Sequence, residues 1–241
     1  YPQSKPWVLS SGRIIAPFIA RVGDSGEPVG VFLYTDDDGA TWEMSNWIRW
    51  PADPRGVGIW EIHGSEQNDG RVRVFARNLA YDQSRPDSVL LTTTGTGIAK
   101  GRPLVFDEEV RYAGLQSCQN RPQVFSLRGT RSCLLMGDAS VDQSTRQLPY
   151  LTASMYFSRS SGNDYAAGPA LTPGGVHCAY PEGIEHDGGI YIAFTGEYPD
   201  DYRNIVGAKV DPSPDPDRFY LWPRRRELSS RDWSGPPELV D

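Results

Sequence analysis

A chain of 241 residues with a formal net charge of −7 is long enough to bury a sizeable core and too acidic for non-specific binding to nucleic acid. Its 25 glycines, 20 prolines and 11% aromatic content suit a turn-rich all-β protein. Neither a sustained helical periodicity nor an apolar run long enough to span a membrane occurs. The basic residues are lopsided: Lys5, Lys100 and Lys209 are the lysines among 24, and the rest are arginines. High-GC codon usage is the plainer account, and carboxylate recognition the functional one. The three cysteines, Cys118, Cys133 and Cys178, fit neither a disulfide scaffold nor a zinc site. A Cys118–Cys133 bridge across one hairpin and ordinary buried thiols both stay open. No signal peptide opens the chain, so a mature secreted or periplasmic form, a cytosolic protein and a trimmed form remain alternatives.

In chain order, the first unit spans about residues 7–50. Its strands are predicted at Gly12 to Ile19 and Val29 to Thr35, followed by the stretch Thr35-Asp36-Asp37-Asp38-Gly39-Ala40-Thr41-Trp42. There a hydroxyl and a carboxylate two residues apart can cap backbone N–H groups, and Gly39 can take φ > 0, which makes a closed turn between strands. The second unit, about 57–106, opens on a strand at Gly58 to Ile62 and turns at Asn68-Asp69-Gly70. Arg71 to Arg77 then alternates with period two, Ser88 to Thr94 makes a third strand, and Thr93 to Gly97 keeps a hydroxyl and a glycine where the closed turn would recur. The third unit, about 110–173, reads as strands at Arg121 to Phe125, Ser132 to Met136 and Leu151 to Phe157, with Ser158 to Tyr165 as another degenerate turn. The fourth, about 177–222, has a turn at His186 to Gly189 between strand-like segments, then Ile205 to Val210 and a proline-rich loop at Asp211 to Asp217. The turn positions recur about every 60 residues, with roughly four strands in each unit, as in blades of a propeller.

The pattern [S/T]-x-D-x-G-x-T-W at Thr35 to Trp42 resembles the Asp-box of the sialidase (neuraminidase) superfamily, whose members are β-propellers. The resemblance implies an all-β, sialidase-type propeller with about four four-stranded blades of an expected six, residues 1–241 being one propeller domain or a piece of one. It extends residue by residue over about Gly12 to Val210. Glu61, the Asp69-Gly70 turn and Ala76-Arg77 follow the family's order of a glutamate on an inner strand, an Asp-Gly turn and an arginine 16 residues on. Tyr180, ahead of Asp187-Gly188, stands where the family's nucleophilic tyrosine opens an inner strand. Such a tyrosine suits a substrate bearing a carboxylate on its anomeric carbon, because a neutral phenol deprotonated by a neighbouring glutamate avoids the repulsion a carboxylate nucleophile would meet. Arg77, with Arg146 as first choice and Arg121 as second, would then hold the substrate carboxylate.

The resemblance therefore implies a glycoside hydrolase acting on an acidic glycan, a terminal sialoside, through Tyr180 and Glu61. It implies no cofactor or metal, and no nucleic-acid partner or membrane span. The family's first arginine and its acid/base aspartate belong to blades ahead of the one that opens here, since Arg13-Ile14-Ile15 is not that first motif. A second chain or an upstream segment would complete the propeller. Tyr180-Pro181-Glu182 also departs from the family by setting an acid beside the tyrosine. Two further readings stay open. One is a propeller lyase acting on uronate glycans with Tyr180 and His63 as acid and base; the other is a non-catalytic propeller that binds glycan or protein. Plainer roles compete for each residue: an exposed strand glutamate for Glu61, a surface pair with Asp82 or Asp87 for Arg77, a packed aromatic for Tyr180. His63, two residues beyond Glu61 and so expected on the same strand face, reads as a satisfied polar residue.

Overall fold

The structure, a computed structural model, describes residues 2–24, 26–50, 58–67, 69–78, 90–107, 109–113, 115, 122–126, 132–137, 153–158, 165–170, 177–187, 189–198, 201–212, 219–221 and 238–240; side chains are described up to 124 and from 181 to 193. All regular structure among them is β. The chain divides into two compact units, Tyr1–Ser126 and Leu127–Asp241.

The first unit holds two antiparallel sheets of consecutive strands. β1 (Trp7–Val8), β2 (Ile14–Val22), β3 (Glu27–Thr35) and β4 (Glu43–Met44) pair in that order. β5 (Ile59–Glu66), β6 (Val72–Asn78), β7 (Leu90–Thr96) and β8 (Val105–Phe106) form the second, with β9 (Arg111–Tyr112) also on β7. β10 (Gln123–Ser126) packs against β5. β3, β5, β6 and β7 are buried at nearly every position, so both faces of these strands are covered. β2 and β3 pair without a break from Ile14↔Thr35 to Val22↔Glu27. The hairpin between β5 and β6 closes as the Asp-Gly pair predicts: Gly70 takes φ 73° and the Arg71 N–H donates to Asp69 Oδ1 at 3.1 Å.

Between the two sheets lies a core of Ile15, Ile19, Phe32, Ile48, Ile59, Ile62, Val74, Leu91 and Phe106. Phe32 stacks on Phe106 with centroids 4.8 Å apart. Gly30 lets the sheets approach closely, since a Cβ there would stand 2.7 Å from Ile62 Cδ1 and 2.9 Å from Ile59 Cδ1. The Asn46 amide completes the junction like a short piece of strand, donating to the Phe106 carbonyl at 2.8 Å and accepting its N–H at 2.7 Å.

One difference from the sequence reading is instructive. Thr93 and Thr94 sit inside β7, and the strand runs on to Thr96 before turning. Gly95 does not break it, because the missing side chain makes room for the Phe106 ring of β8, 2.5 Å from where a Cβ would stand.

In the second unit β11 (Ser132–Gly137), β12 (Ala153–Ser158) and β13 (Tyr165–Ala170) form an antiparallel meander. β14 (His177–His186), β15 (Gly189–Tyr198), β16 (Asp201–Pro212), β17 (Phe219–Leu221) and β18 (Glu238–Val240) form another. The turn between β14 and β15 falls where expected, with His186 paired to Gly189 and Asp187 at φ 49°. Cys118 lies outside the described residues, and Cys133 and Cys178 are placed on β11 and β14.

Candidate active site

The turn after β3 is a self-contained polar knot. Thr35 Oγ1 donates to Asp37 Oδ1 at 2.7 Å and accepts the Gly39 N–H at 3.0 Å. Asp37 in turn accepts the Thr41 N–H at 2.9 Å and its hydroxyl at 2.6 Å. Bonds from Thr41, and then Thr35, hold the Asp37 carboxyl down at about 2. Trp42 lies along Gly39 and is 47% exposed. Neighbouring Asp36 faces inward and receives two parallel bonds from Arg13, Nε and Nη2 each at 2.7 Å. Those bonds, helped by the Gly101 N–H, lower its carboxyl to about 2. Arg13 is fully buried, stacks over the Tyr34 ring at 4.3 Å and donates to the Gly97 carbonyl. It is a structural clamp joining the turn to the loop after β7, in keeping with its exclusion as a substrate-binding arginine.

Glu61 and Arg77 lie on β5 and β6. Between Trp60↔Arg77 and His63↔Phe75 the register advances three residues on β5 against two on β6, so Glu61 and Ile62 together oppose Ala76. Glu61 takes φ 48° in this bulge, a left-handed conformation that a non-glycine residue adopts at a cost of order 1 kcal/mol. The extra residue has a clear effect on side-chain direction. Ile59 and Ile62, three apart, both reach Gly30 in the core. Glu61 is left to turn toward Arg77, and Arg77 Nη1 donates to Glu61 Oε2 at 3.1 Å. Both side chains are largely buried, 12% and 22% exposed, so the pair sits in a shielded environment with some access to solvent. The spacing of 16 residues thus translates into contact; Asp82 and Asp87, the surface partners considered for Arg77, lie outside the described residues.

The same bulge alters the position of His63. The imidazole is 4% exposed, stacks on Trp7 with centroids 5.3 Å apart, and accepts the Val124 N–H on Nδ1 at 3.3 Å. It is thus packed against Trp7 and β10.

Tyr180 lies on β14, where the backbone repeats the motif seen at Glu61. Between Ala179↔Thr195 and Glu182↔Ala193 the register again advances three residues against two, so Tyr180 and Pro181 form a bulge. Pro181 has no N–H to give to the ladder, which is the local reason for the interruption. A proline next to Tyr180 was the available signal for it. Arg121 and Arg146 lie outside the described residues. One contributor escaped the sequence reading altogether: Gln3, whose Oε1 accepts the Glu61 N–H at 2.9 Å across 58 residues. Among the described residues no group of three His, Cys, Asp or Glu side chains could hold a metal ion, and no helix is long and apolar enough to cross a membrane.

No protein-family model and no curated sequence matches the chain. Solved structures do resemble it in fold. The intramolecular trans-sialidase of Ruminococcus gnavus superposes with a TM-score of 0.59 at 13% identity, over 88% of this chain and 43% of that one. A Trypanosoma rangeli sialidase mutant displaying trans-sialidase activity gives 0.58 at 14%, over 85% and 35%. A Hadza microbial sialidase gives 0.57 at 14%, over 94% and 46%. The chain accordingly has the all-β fold of the sialidase propellers, and it spans less than half the length of these structures.

Proposed function

We propose that the chain carries part of the active site of a sialidase-like glycoside hydrolase that cleaves a terminal acidic sugar, a sialoside. The observation that carries this reading is the Glu61–Arg77 pair, built on a strained bulge and shielded from solvent, within a sialidase-type fold. Bulges cluster beside active sites because they re-aim one side chain without disturbing the sheet, and the second bulge, at Tyr180, is consistent with the same use. The Asp-box resemblance of Thr35 to Trp42, whose hydroxyl and carboxylate close the turn, supports the same family reading.

In this mechanism Glu61 accepts the phenolic proton of Tyr180, and the phenolate oxygen attacks the anomeric carbon as the bond to the leaving group breaks. Water then cleaves the glycosyl–tyrosine bond and returns the phenol. Arg77, with Arg146 or Arg121, binds the substrate carboxylate through the planar guanidinium fork. The acid that protonates a sugar leaving group would come from a blade or partner beyond these residues, and the four successive sheets would be blades of one propeller. An aryl sialoside tests the reading cleanly, because a phenolate of low basicity departs with little help from an acid. Release of the aryl group that is abolished by Tyr180→Phe is the expected result. No release and no retention on immobilised sialoside would sink it, and an unsaturated uronate product from a uronate glycan would favour the lyase instead.

A further inference from the structure

A bulged residue loses its place in the hydrogen-bond ladder, and a buried backbone N–H that leaves the ladder needs another acceptor. At Glu61 that acceptor is the side-chain carbonyl of Gln3, Oε1 standing 2.9 Å from the Glu61 nitrogen. Gln3 is itself pinned. Its own N–H donates to the Pro17 carbonyl at 3.1 Å, and Pro2 bridges Phe18, so its backbone runs along β2 while its side chain crosses to β5. The other end of the amide, Nε2, stands 3.4 Å from the Pro2 carbonyl, and the 2.9 Å bond to the Glu61 N–H is the one that assigns the oxygen. The residue type matters. An amide oxygen accepts the N–H without adding negative charge beside a carboxylate that must stay free to take a proton; an Asp or Glu would accept equally well but raise the proton affinity of Glu61.

We propose that Gln3 is a positioning residue for Glu61: its amide oxygen holds the left-handed bulge from which the carboxylate meets Arg77. Its effect on catalysis rests on the hydrolase reading above, whereas its hold on Glu61 does not. Gln3→Met keeps the length of the side chain and removes the acceptor; Gln3→Glu keeps the acceptor and adds charge. Backbone amide exchange on the full chain reads the first part directly. In Gln3→Met the Glu61 amide should exchange about tenfold faster, the scale of one lost hydrogen bond, while Val74 on β6 stays as in the parent; in Gln3→Glu the protection returns. Unchanged exchange at Glu61 in Gln3→Met overturns the proposal. With an aryl sialoside, Gln3→Met should lower kcat by about tenfold or more at little change in KM, because a misplaced base weakens the chemical step more than binding. Gln3→Glu should shift the acid limb of the kcat/KM profile to higher pH. Lost protection with unchanged kcat would overturn the positioning role. A parent chain without hydrolysis would overturn the hydrolase reading, and the exchange comparison would still decide whether Gln3 holds Glu61.

Discussion

Glu61 illustrates how one residue can be placed by geometry that its neighbours in sequence do not announce. Regular alternation would set Glu61 and His63 on one face; the bulge instead sends His63 against Trp7 and Glu61 to Arg77. If Glu61 activates Tyr180, the two act as one unit. Tyr180→Phe removes a single hydroxyl, so the melting temperature should hold within a few degrees while turnover falls by several orders of magnitude. Glu61→Gln should add little to a chain that already carries Tyr180→Phe, and a fully additive loss in the double variant would show that the residues work independently.

Among the elements, the turn after β3 and the closely packed β3–β5 contact invite separate tests. Asp36 and Asp37 both titrate near 2, below the ordinary 3.8, so between these values the unfolded chain binds protons that the folded chain does not. The stability they contribute is complete above 3.8 and is lost as pH falls toward 2. Thermal melts of the parent should drop steeply through that window, and Asp37→Asn should melt a few degrees lower at neutral pH with a shallower acid decline. A parallel acid decline in both chains would contradict the assignment. Asp36→Asn removes the charge partner of fully buried Arg13 and should cost about 3 kcal/mol at neutral pH, measurable by urea titration. Gly30→Ala would drive a methyl into Ile59 and Ile62, and a loss of about 1–3 kcal/mol is expected in the same titration.

For the molecule as a whole, the chain matches less than half of the sialidase structures it resembles. If its four successive sheets are blades of a larger ring, the ring is open and leaves strand edges and apolar faces unpaired. Sedimentation velocity should then find self-association, relieved by a partner or segment that supplies further blades. A monomer with one sharp two-state melt would instead fit a closed four-blade form.

Much of this architecture could be read without coordinates. The strands at Ile14, Glu27 and Val72, and the turns at Asp69-Gly70 and Thr35 to Trp42, depend on residues within a few positions of one another: alternation, a glycine that tolerates positive φ, a hydroxyl within reach of a nearby carboxylate. The order Glu61, Asp-Gly, Arg77 was legible only through its resemblance to the sialidase pattern, and the structure adds that the hairpin folds the 16-residue spacing back into contact. What the sequence did not disclose were outcomes of long-range pairing. The extra residue at Glu61 appears only when β5 is registered against β6. Gln3 meets Glu61 across 58 residues, Arg13 is buried against the carbonyl of Gly97, and Gly95 serves a strand because Phe106 arrives over it. Each depends on which surface the folded chain brings near, and side-chain chemistry read in a short window has no access to that.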